Sequence, residues 1–366
     1  MPAKPKPVEG EKKVFMTGNE VVAWAAAAAG AECMYGYPIT PQNEIMHYWT
    51  RLAPRFGLIF LQTEDELAAG FTMLGGVLAG KKSFTATAGP GNTLMQEPLS
   101  MAEMMRLPAV VVIQQRGGPS TGQVVYSQQE VTLTSFGGNG EGLRVVYSTS
   151  SHQDLYDYTI KAFNTAWRYR FPTFVLGDGY QGKMREPLVM YDPEVRGVEL
   201  APAEPYVGRP GTPGVDRPPA ELRNAYSIEE ELYEAVMELV REYEKVAPEI
   251  VEYEAFGVDG AKVVAVAHGV VFRAVKGVVR ELRKQGVPVG YFRPITVRPF
   301  PAEELRRVAA TGVRLLVVES AYGQLARLVK EAVSGLAAEV HGLYKPGVLV
   351  GQGEIATRIK TLVQGG

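Results

Sequence analysis

The 366 residues are 46% hydrophobic and 21% charged, with 38 Lys and Arg against 40 Asp and Glu, giving a net charge of −2. That length holds two or three compact domains, and the near balance of charge offers no global field to a nucleic acid or an anionic membrane. One cysteine, Cys33, excludes an intrachain disulfide framework, and also any iron–sulfur cluster or cysteine zinc site built by this chain alone.

Residues 1–13 are rich in Lys and Pro, lack the apolar core of a signal peptide, and are expected to form a disordered lead-in. No apolar run reaches the ~18 residues of a membrane span, and the chain reads as cytoplasmic. From Val14 to about Met190 helices alternate with short strands. A helix is predicted over Asn19–Ala29, then a strand over Glu32–Tyr35. The segment Tyr35-Gly-Tyr-Pro-Ile-Thr-Pro-Gln-Asn-Glu-Ile45 follows, where an apolar run ends and a new helix begins. Pro38 and Pro41 stiffen this elbow, because each fixes φ and removes a backbone donor. Thr40 is thus presented on a rigid turn beside Tyr37, either as a helix cap or as part of a ligand site at a strand end.

A strand over Leu58–Leu61 leads into a helix from about Glu64 to Leu78 that opens with three acids. Acids in a first turn complement the helix dipole. Yet Glu66 is followed by Leu-Ala-Ala-Gly, a close-packing face on which a buried carboxyl would need a specific partner. The β-branched strand Ser83–Thr87 runs into the glycine turn of Thr85-Ala-Thr-Ala-Gly-Pro-Gly-Asn92, ahead of a helix over Thr93–Met105. Backbone amides at such a turn can bind an anion, but the Gly-Lys-Ser/Thr ending of a phosphate-binding loop is missing. Ala109–Ile113 is a continuous apolar run, as in a strand buried on both faces. Arg116, in Gln114-Gln-Arg-Gly-Gly-Pro-Ser-Thr-Gly122, then stands at its carboxyl end, either in a structural ion pair or as a clamp for a carboxylate. A helix over Gln153–Tyr169 and a strand over Thr173–Leu176 complete a pattern that predicts a parallel sheet covered by helices.

Between Met190 and Asn224 prolines recur without apolar periodicity, as in a linker or an arm over the surface. The charged segment Ile228–Val246 is predicted to be a solvated amphipathic helix. A second α/β alternation begins near Ala261, with strands over Lys262–Val266, Val289–Phe292 and Leu315–Val318. Helices are predicted over Arg273–Gln285, Ala302–Ala310 and Gln324–Leu336. His47, His152, His268 and His341 show no metal-ligand spacing and are expected to be structural.

Taken in order, Tyr37-Pro-Ile-Thr-Pro41, Glu66-Leu-Ala-Ala69, Thr85-Ala-Thr-Ala-Gly-Pro-Gly91 and Arg116-Gly-Gly-Pro-Ser-Thr-Gly122 resemble the alpha subunit of 2-oxoacid:ferredoxin oxidoreductases. Leu176-Gly-Asp-Gly-Tyr and Glu186-Pro-Leu188 continue the likeness. So do Phe292-Arg-Pro-Ile-Thr-Val-Arg-Pro-Phe-Pro301 and Val317-Val-Glu-Ser320. The resemblance implies an α/β thiamine-diphosphate-fold pyrimidine domain over residues 14–190, an arm and charged helix over 191–258, and a transketolase C-terminal-like domain over 259–366. It implies that Glu66 hydrogen-bonds N1′ of the thiamine aminopyrimidine, favouring the imino tautomer whose N4′ nitrogen deprotonates C2. It implies cofactor contacts at Pro38 and Gly89, and substrate contacts at Tyr37, Thr40 and Arg116, with Arg116 pairing with the 2-oxoacid carboxylate.

Gly177-Asp178-Gly179 invites a reading as a thiamine-diphosphate Mg²⁺ motif, but that motif needs a downstream Asn-Asn, and the chain contains none. Asp178 is therefore expected to be a structural turn residue. Mg²⁺ and the diphosphate are expected on a beta subunit that also carries a 4Fe-4S cluster, with gamma and delta subunits possible, ferredoxin as acceptor and coenzyme A as co-substrate. Gln42-Asn-Glu-Ile45 looks closer to 2-oxoisovalerate and some 2-oxoglutarate members than to pyruvate enzymes. Where 2-oxoglutarate members often carry a substrate-binding threonine after Ser-Thr-Gly, this chain has Val125, which favours an apolar or aromatic 2-oxoacid. A non-oxidative thiamine decarboxylase half and a non-catalytic assembly subunit are the alternatives.

Overall fold

The computed structural model describes residues 6–208 and 222–365. The first α/β unit contains strands β1 (Glu11–Thr17), β2 (Cys33–Gly36), β3 (Ile59–Gln62), β4 (Ser83–Thr87), β5 (Val110–Gln115), β6 (Val145–Ser148), β7 (Thr173–Asp178) and β8 (Arg185–Tyr191). The second contains β9 (Tyr253–Phe256), β10 (Val263–Val266), β11 (Val289–Pro294), β12 (Thr296–Arg298), β13 (Arg314–Glu319) and β14 (Val340–Tyr344).

Six strands of the first unit run parallel in the order β6-β7-β5-β4-β2-β3. Helices cover both faces, and neighbouring residues of β4 show why. Phe84 meets Trp49 and Phe163 edge-on, whereas a Cβ on Gly76 of the opposite layer would collide with the Ser83 hydroxyl. Successive side chains of a strand point to opposite faces, so both must be small or apolar enough to accept a helix. Three of these helices begin on a side-chain cap: Thr17 for Gly18–Ala28, Asp65 for Glu66–Leu78 and Ser151 for His152–Tyr169.

The second sheet has the order β14-β13-β10-β11-β9, parallel except for β9. Its strands feed two separate cores by alternation. Val263, Ala265, Leu316 and Val318 pack with the helices Gly269–Lys284 and Gln352–Gln364. Val264, Val266, Leu315 and Val317 pack with Ala302–Ala309 and Gln324–Ala332.

Three features lie beyond the sequence pattern. Thr296–Arg298 leaves the second unit and pairs antiparallel with β6, extending the first sheet to seven strands. Glu11–Lys13, expected in the lead-in, instead begin β1, which pairs antiparallel with β8 from Glu11↔Tyr191 to Thr17↔Arg185. Pairing with a distant strand, the buried Val8 and a Lys6–Asp192 ion pair at 2.8 Å order a segment whose composition alone argues for disorder; residues 1–5 of it lie outside the described residues. The charged helix, Glu229–Ile250, buries Leu239, Tyr243 and Ile250, and the Tyr243 hydroxyl donates to the Arg144 carbonyl at 2.7 Å. Pro210, Pro213, Pro218 and Pro219 of the arm lie outside the described residues, and its earlier part bonds the first unit through Asn164 and the Leu78 carbonyl. Among the described residues no helix is long and apolar enough to cross a membrane.

Candidate active site

The carboxyl ends of β2, β4 and β5, with the helix that follows β3, bring Thr40, Glu66, the Gly89 turn and Arg116 together. The elbow after β2 is held from inside. Asn19 donates to the Pro41 carbonyl at 2.7 Å, and Gln42 donates to the Tyr37 carbonyl at 2.9 Å. Arg116 donates through Nη1 to the Thr40 carbonyl at 2.9 Å. Pro38 and Thr40 are left exposed and Tyr37 half-buried. A rigid turn with its backbone tied down and its hydroxyl in the open suits recognition better than capping, and the cap position of the following helix is Gln42, which makes no side-chain cap bond.

Glu66 is the first residue of its helix and is only 4% exposed. Asp65 takes the capping work, accepting from the Ala68 amide at 2.7 Å. Among the described residues no side chain bonds the Glu66 carboxylate, which accepts only from its own amide. Burial pushes its pKa up and Asp65 adds to this, while that amide and the Arg116 charge act against it. A Cβ on Gly91 would run into the Thr87 hydroxyl and stand 2.5 Å from Glu66 Oε1, so only glycine leaves this carboxyl its place. The Thr87 hydroxyl and Nε of Arg116 are buried nearby without partners. Buried polar atoms are normally bonded, so a cluster of unspent ones beside a carboxyl that can hold a proton fits a polar heterocycle such as an aminopyrimidine.

Arg116 is 5% exposed and lies against Gly89, where a Cβ would stand 2.7 Å from Nε; Gly89 itself has φ 52°. Of the amides at the Gly89 turn that could bind an anion, one is already used. The Gly89 amide donates to Glu130 Oε1 at 2.8 Å, so an internal carboxylate already occupies that place. Sequence reasoning did not single out Glu130. Its only signal is an acid just before the short helix Val131–Phe136, which reads as an ordinary cap.

Asp178 caps the turn Gly179–Lys183, with Oδ1 accepting from the Gln181 amide at 3.0 Å, and burial raises its pKa to about 6. A Cβ on Gly179 would collide with the Val125 carbonyl and lie 3.1 Å from the Pro41 ring, which puts the loop after Arg116 beside the elbow. The buried histidines make internal hydrogen bonds: His152 Nε2 meets the Met184 carbonyl at 2.9 Å, and His268 Nδ1 meets Ser148 Oγ at 2.8 Å.

Comparison with known proteins gives the family. Residues 24–255 match the family described as pyruvate flavodoxin/ferredoxin oxidoreductase, thiamine diP-binding, and residues 261–354 match pyruvate:ferredoxin oxidoreductase core domain II. The chain is 36% identical over 332 residues to a 2-oxoglutarate synthase subunit KorA of Methanocaldococcus jannaschii, covering 86% of this chain and 90% of that protein. It is 36% identical over 324 residues to a ketoisovalerate oxidoreductase subunit VorB of Methanothermobacter thermautotrophicus, covering 87% and 89%. A solved 2-oxoglutarate:ferredoxin oxidoreductase from Magnetococcus marinus, with 2-oxoglutarate, coenzyme A and succinyl-CoA bound, superposes with a TM-score of 0.84 at 28% identity. That match covers 96% of this chain and 65% of the other. A split-gene transketolase beta tetramer shares the fold alone, with a TM-score of 0.57 at 12% identity, covering 95% of this chain and 98% of that one. The chain belongs to the alpha-subunit family of the thiamine-diphosphate-dependent 2-oxoacid:ferredoxin oxidoreductases, which act with partner subunits.

Proposed function

We propose that this chain contributes the aminopyrimidine half of a shared thiamine-diphosphate site, in a complex that converts an apolar 2-oxoacid to its acyl-CoA, CO2 and reduced ferredoxin. The observation that carries this reading is the buried Glu66 carboxyl, bonded by no side chain among the described residues, beside an arginine braced on the Thr40 carbonyl. Thiamine diphosphate, when bound, supplies the electron sink for decarboxylation. Glu66 shares a proton with N1′ of its pyrimidine, a role that a raised pKa favours. Arg116 holds the substrate carboxylate through charge-assisted bonds, while Thr40 and Tyr37 meet the 2-oxo end. Pro38 and the Gly89 turn form the cofactor-facing wall.

The diphosphate, Mg²⁺ and a 4Fe-4S cluster belong in this reading to a beta subunit, with gamma and delta subunits extending the electron path. Both helices that frame Glu66 carry exposed apolar side chains, Leu67 and Phe71 on one and Leu94 on the other, which supports a partner seated there. Coenzyme A as co-substrate is supported by the bound coenzyme A of the Magnetococcus enzyme. Relatives acting on 2-oxoglutarate and on ketoisovalerate are equally similar. What favours an apolar side chain is Val125, 52% exposed beside the elbow, with Val124 next to it at 41%.

The test is a substrate panel on the co-purified complex, comparing 2-oxoisovalerate, an aryl glyoxylate, pyruvate and 2-oxoglutarate, with viologen reduction and acyl-CoA as readouts. Coenzyme A-dependent viologen reduction, fastest with 2-oxoisovalerate or the aryl glyoxylate, is expected. Faster turnover of 2-oxoglutarate would overturn the substrate class. Decarboxylation without viologen reduction or acyl-CoA would overturn the oxidoreductase reading.

A further inference from the structure

We propose that Glu130 is a positioning residue whose carboxylate fixes the backbone of Arg116 against the Gly89–Asn92 turn, and thereby sets where Arg116 holds a substrate carboxylate. The inference rests on the reading of Arg116 given above. Glu130 is 4% exposed, and the three groups that bond its carboxylate are all donors. Oε1 accepts from the Gly89 amide at 2.8 Å and from the Arg116 amide at 3.0 Å, and Oε2 accepts from Asn92 Nδ2 at 3.0 Å. A carboxyl met by these donors accepts at both of its oxygens. Burial pushes its pKa up, and the two amides, Asn92 and the Arg116 charge act against that.

Arg116 is thus held at both ends. Glu130 pins its main chain, and the Thr40 carbonyl pins Nη1. The same carboxylate ties the turn bearing Gly91, which borders Glu66, to the strand bearing Arg116. One acid therefore sets the spacing between the proton-sharing carboxyl and the carboxylate-binding cation.

Glu130 is in turn braced from the second α/β unit on both sides. Gln128 donates to the His268 carbonyl at 2.9 Å and exchanges two bonds with the Ser320 backbone, at 3.1 and 2.9 Å. Gln324 donates to the Gln129 carbonyl at 2.7 Å and accepts from the Thr132 amide at 2.9 Å. This gives the second unit a task in catalysis: it holds the segment that locates Arg116.

The experiment uses the complex assembled with its partner subunits and compares Glu130→Gln, Thr134→Val and Arg116→Met. Thr134 accepts from the same Asn92 amide at 3.0 Å but bonds neither Arg116 nor Gly89, so its variant reports general damage to the network. Glu130→Gln is expected to raise KM for the 2-oxoacid about tenfold, since misplacement by an ångström is costly at a reacting site. KM for coenzyme A should stay within about twofold, and Thr134→Val should leave both constants near wild type. An unchanged 2-oxoacid KM in Glu130→Gln, equal rises in both constants, or an equal effect of Thr134→Val would each overturn the proposal. If Glu130→Gln does not assemble, Glu130→Asp, which keeps the charge but cannot span both amides, is judged by the same criteria. Arg116→Met separates the levels. A raised KM there with none in Glu130→Gln sinks only the positioning role, whereas no change in Arg116→Met sinks the reading of Arg116 and this inference with it.

Discussion

The two parallel sheets each place a buried glutamate near the carboxyl ends of their strands, and the two acids have opposite fates. Glu319 ends β13 with no exposure, and its carboxylate accepts from the amides of Leu325 at 2.9 Å and Ala326 at 3.1 Å, capping the helix Gln324–Ala332. Glu66, at 4% exposure, is also buried but caps nothing, because Asp65 does that work for it. Burial pushes both pKa values up. Burial alone therefore does not mark a reactive acid. What separates them is hydrogen-bonding capacity left unspent, which is the condition for exchanging a proton with a bound molecule.

The sharpest way to break this contrast is to remove one acidic proton from each. In the assembled complex Glu66→Gln is expected to lower turnover by about 10²- to 10⁴-fold, the span usual for a group that moves a proton in catalysis. Glu319→Gln should leave turnover per folded complex unchanged and cost about 1 kcal/mol of stability, as expected for a weakened cap. Viologen reduction and thermal melting of both variants measure the pair. Equal turnover in the two, with assembly intact, would dissolve the distinction.

Arg116 offers a smaller test at the same end of the first sheet. Charge-assisted bonds contribute about 1.5–3 kcal/mol, so Arg116→Met should lower kcat/KM for the 2-oxoacid about 10- to 150-fold. Steady-state kinetics with varied 2-oxoacid decide it, and unaltered constants would return Arg116 to a structural role.

Much of this arrangement was legible in the residues, and the limit was distance along the chain. Ala109–Ile113 announces a central strand because one on both faces of which helices pack must be apolar throughout, and β5 is buried along its whole length. The elbow, Glu66 and Arg116 were visible because each stands where a run of one period gives way to another. Glu130 was not, since its three partners lie 14, 38 and 41 residues away and only the fold brings them to it. The strand Thr296–Arg298 escaped for a similar reason: three residues carry no period, and their partner strand belongs to the other unit. β1 was hidden by lysines that sit on an exposed ribbon.

The seam between the units is expected to respond to acid. Glu186 on β8 pairs with Arg273 of the second unit and lies 3.1 Å from His152 Nδ1. Burial alone would raise its pKa, but His152 and Arg273 together hold it at about 2 against an ordinary 4.5. A depressed folded pKa contributes stability that is fully present above 4.5 and is lost as pH falls toward 2. Urea unfolding of the wild type and Glu186→Gln should therefore differ above pH 4.5 and converge as pH falls toward 2. A gap that stays constant from neutrality down to pH 3 would show that the carboxylate charge does not hold the seam.

The smallest expected effect bears on which substrate the first sheet accepts. Val125 follows the Arg116 loop, sits beside the elbow and leaves half its surface exposed, so its methyl groups are available to an aliphatic side chain. Val125→Thr keeps the volume and replaces one methyl with a hydroxyl, leaving Glu66, Glu130 and Arg116 untouched. One such contact is worth about 1 kcal/mol, so the ratio of kcat/KM for 2-oxoisovalerate over 2-oxoglutarate should fall about fivefold, chiefly through the branched substrate. Because both substrates present the same carboxylate to Arg116, any change in the ratio reports on side-chain selection alone. A ratio that does not move would place the choice of 2-oxoacid outside this loop, on the partner's side of the shared pocket.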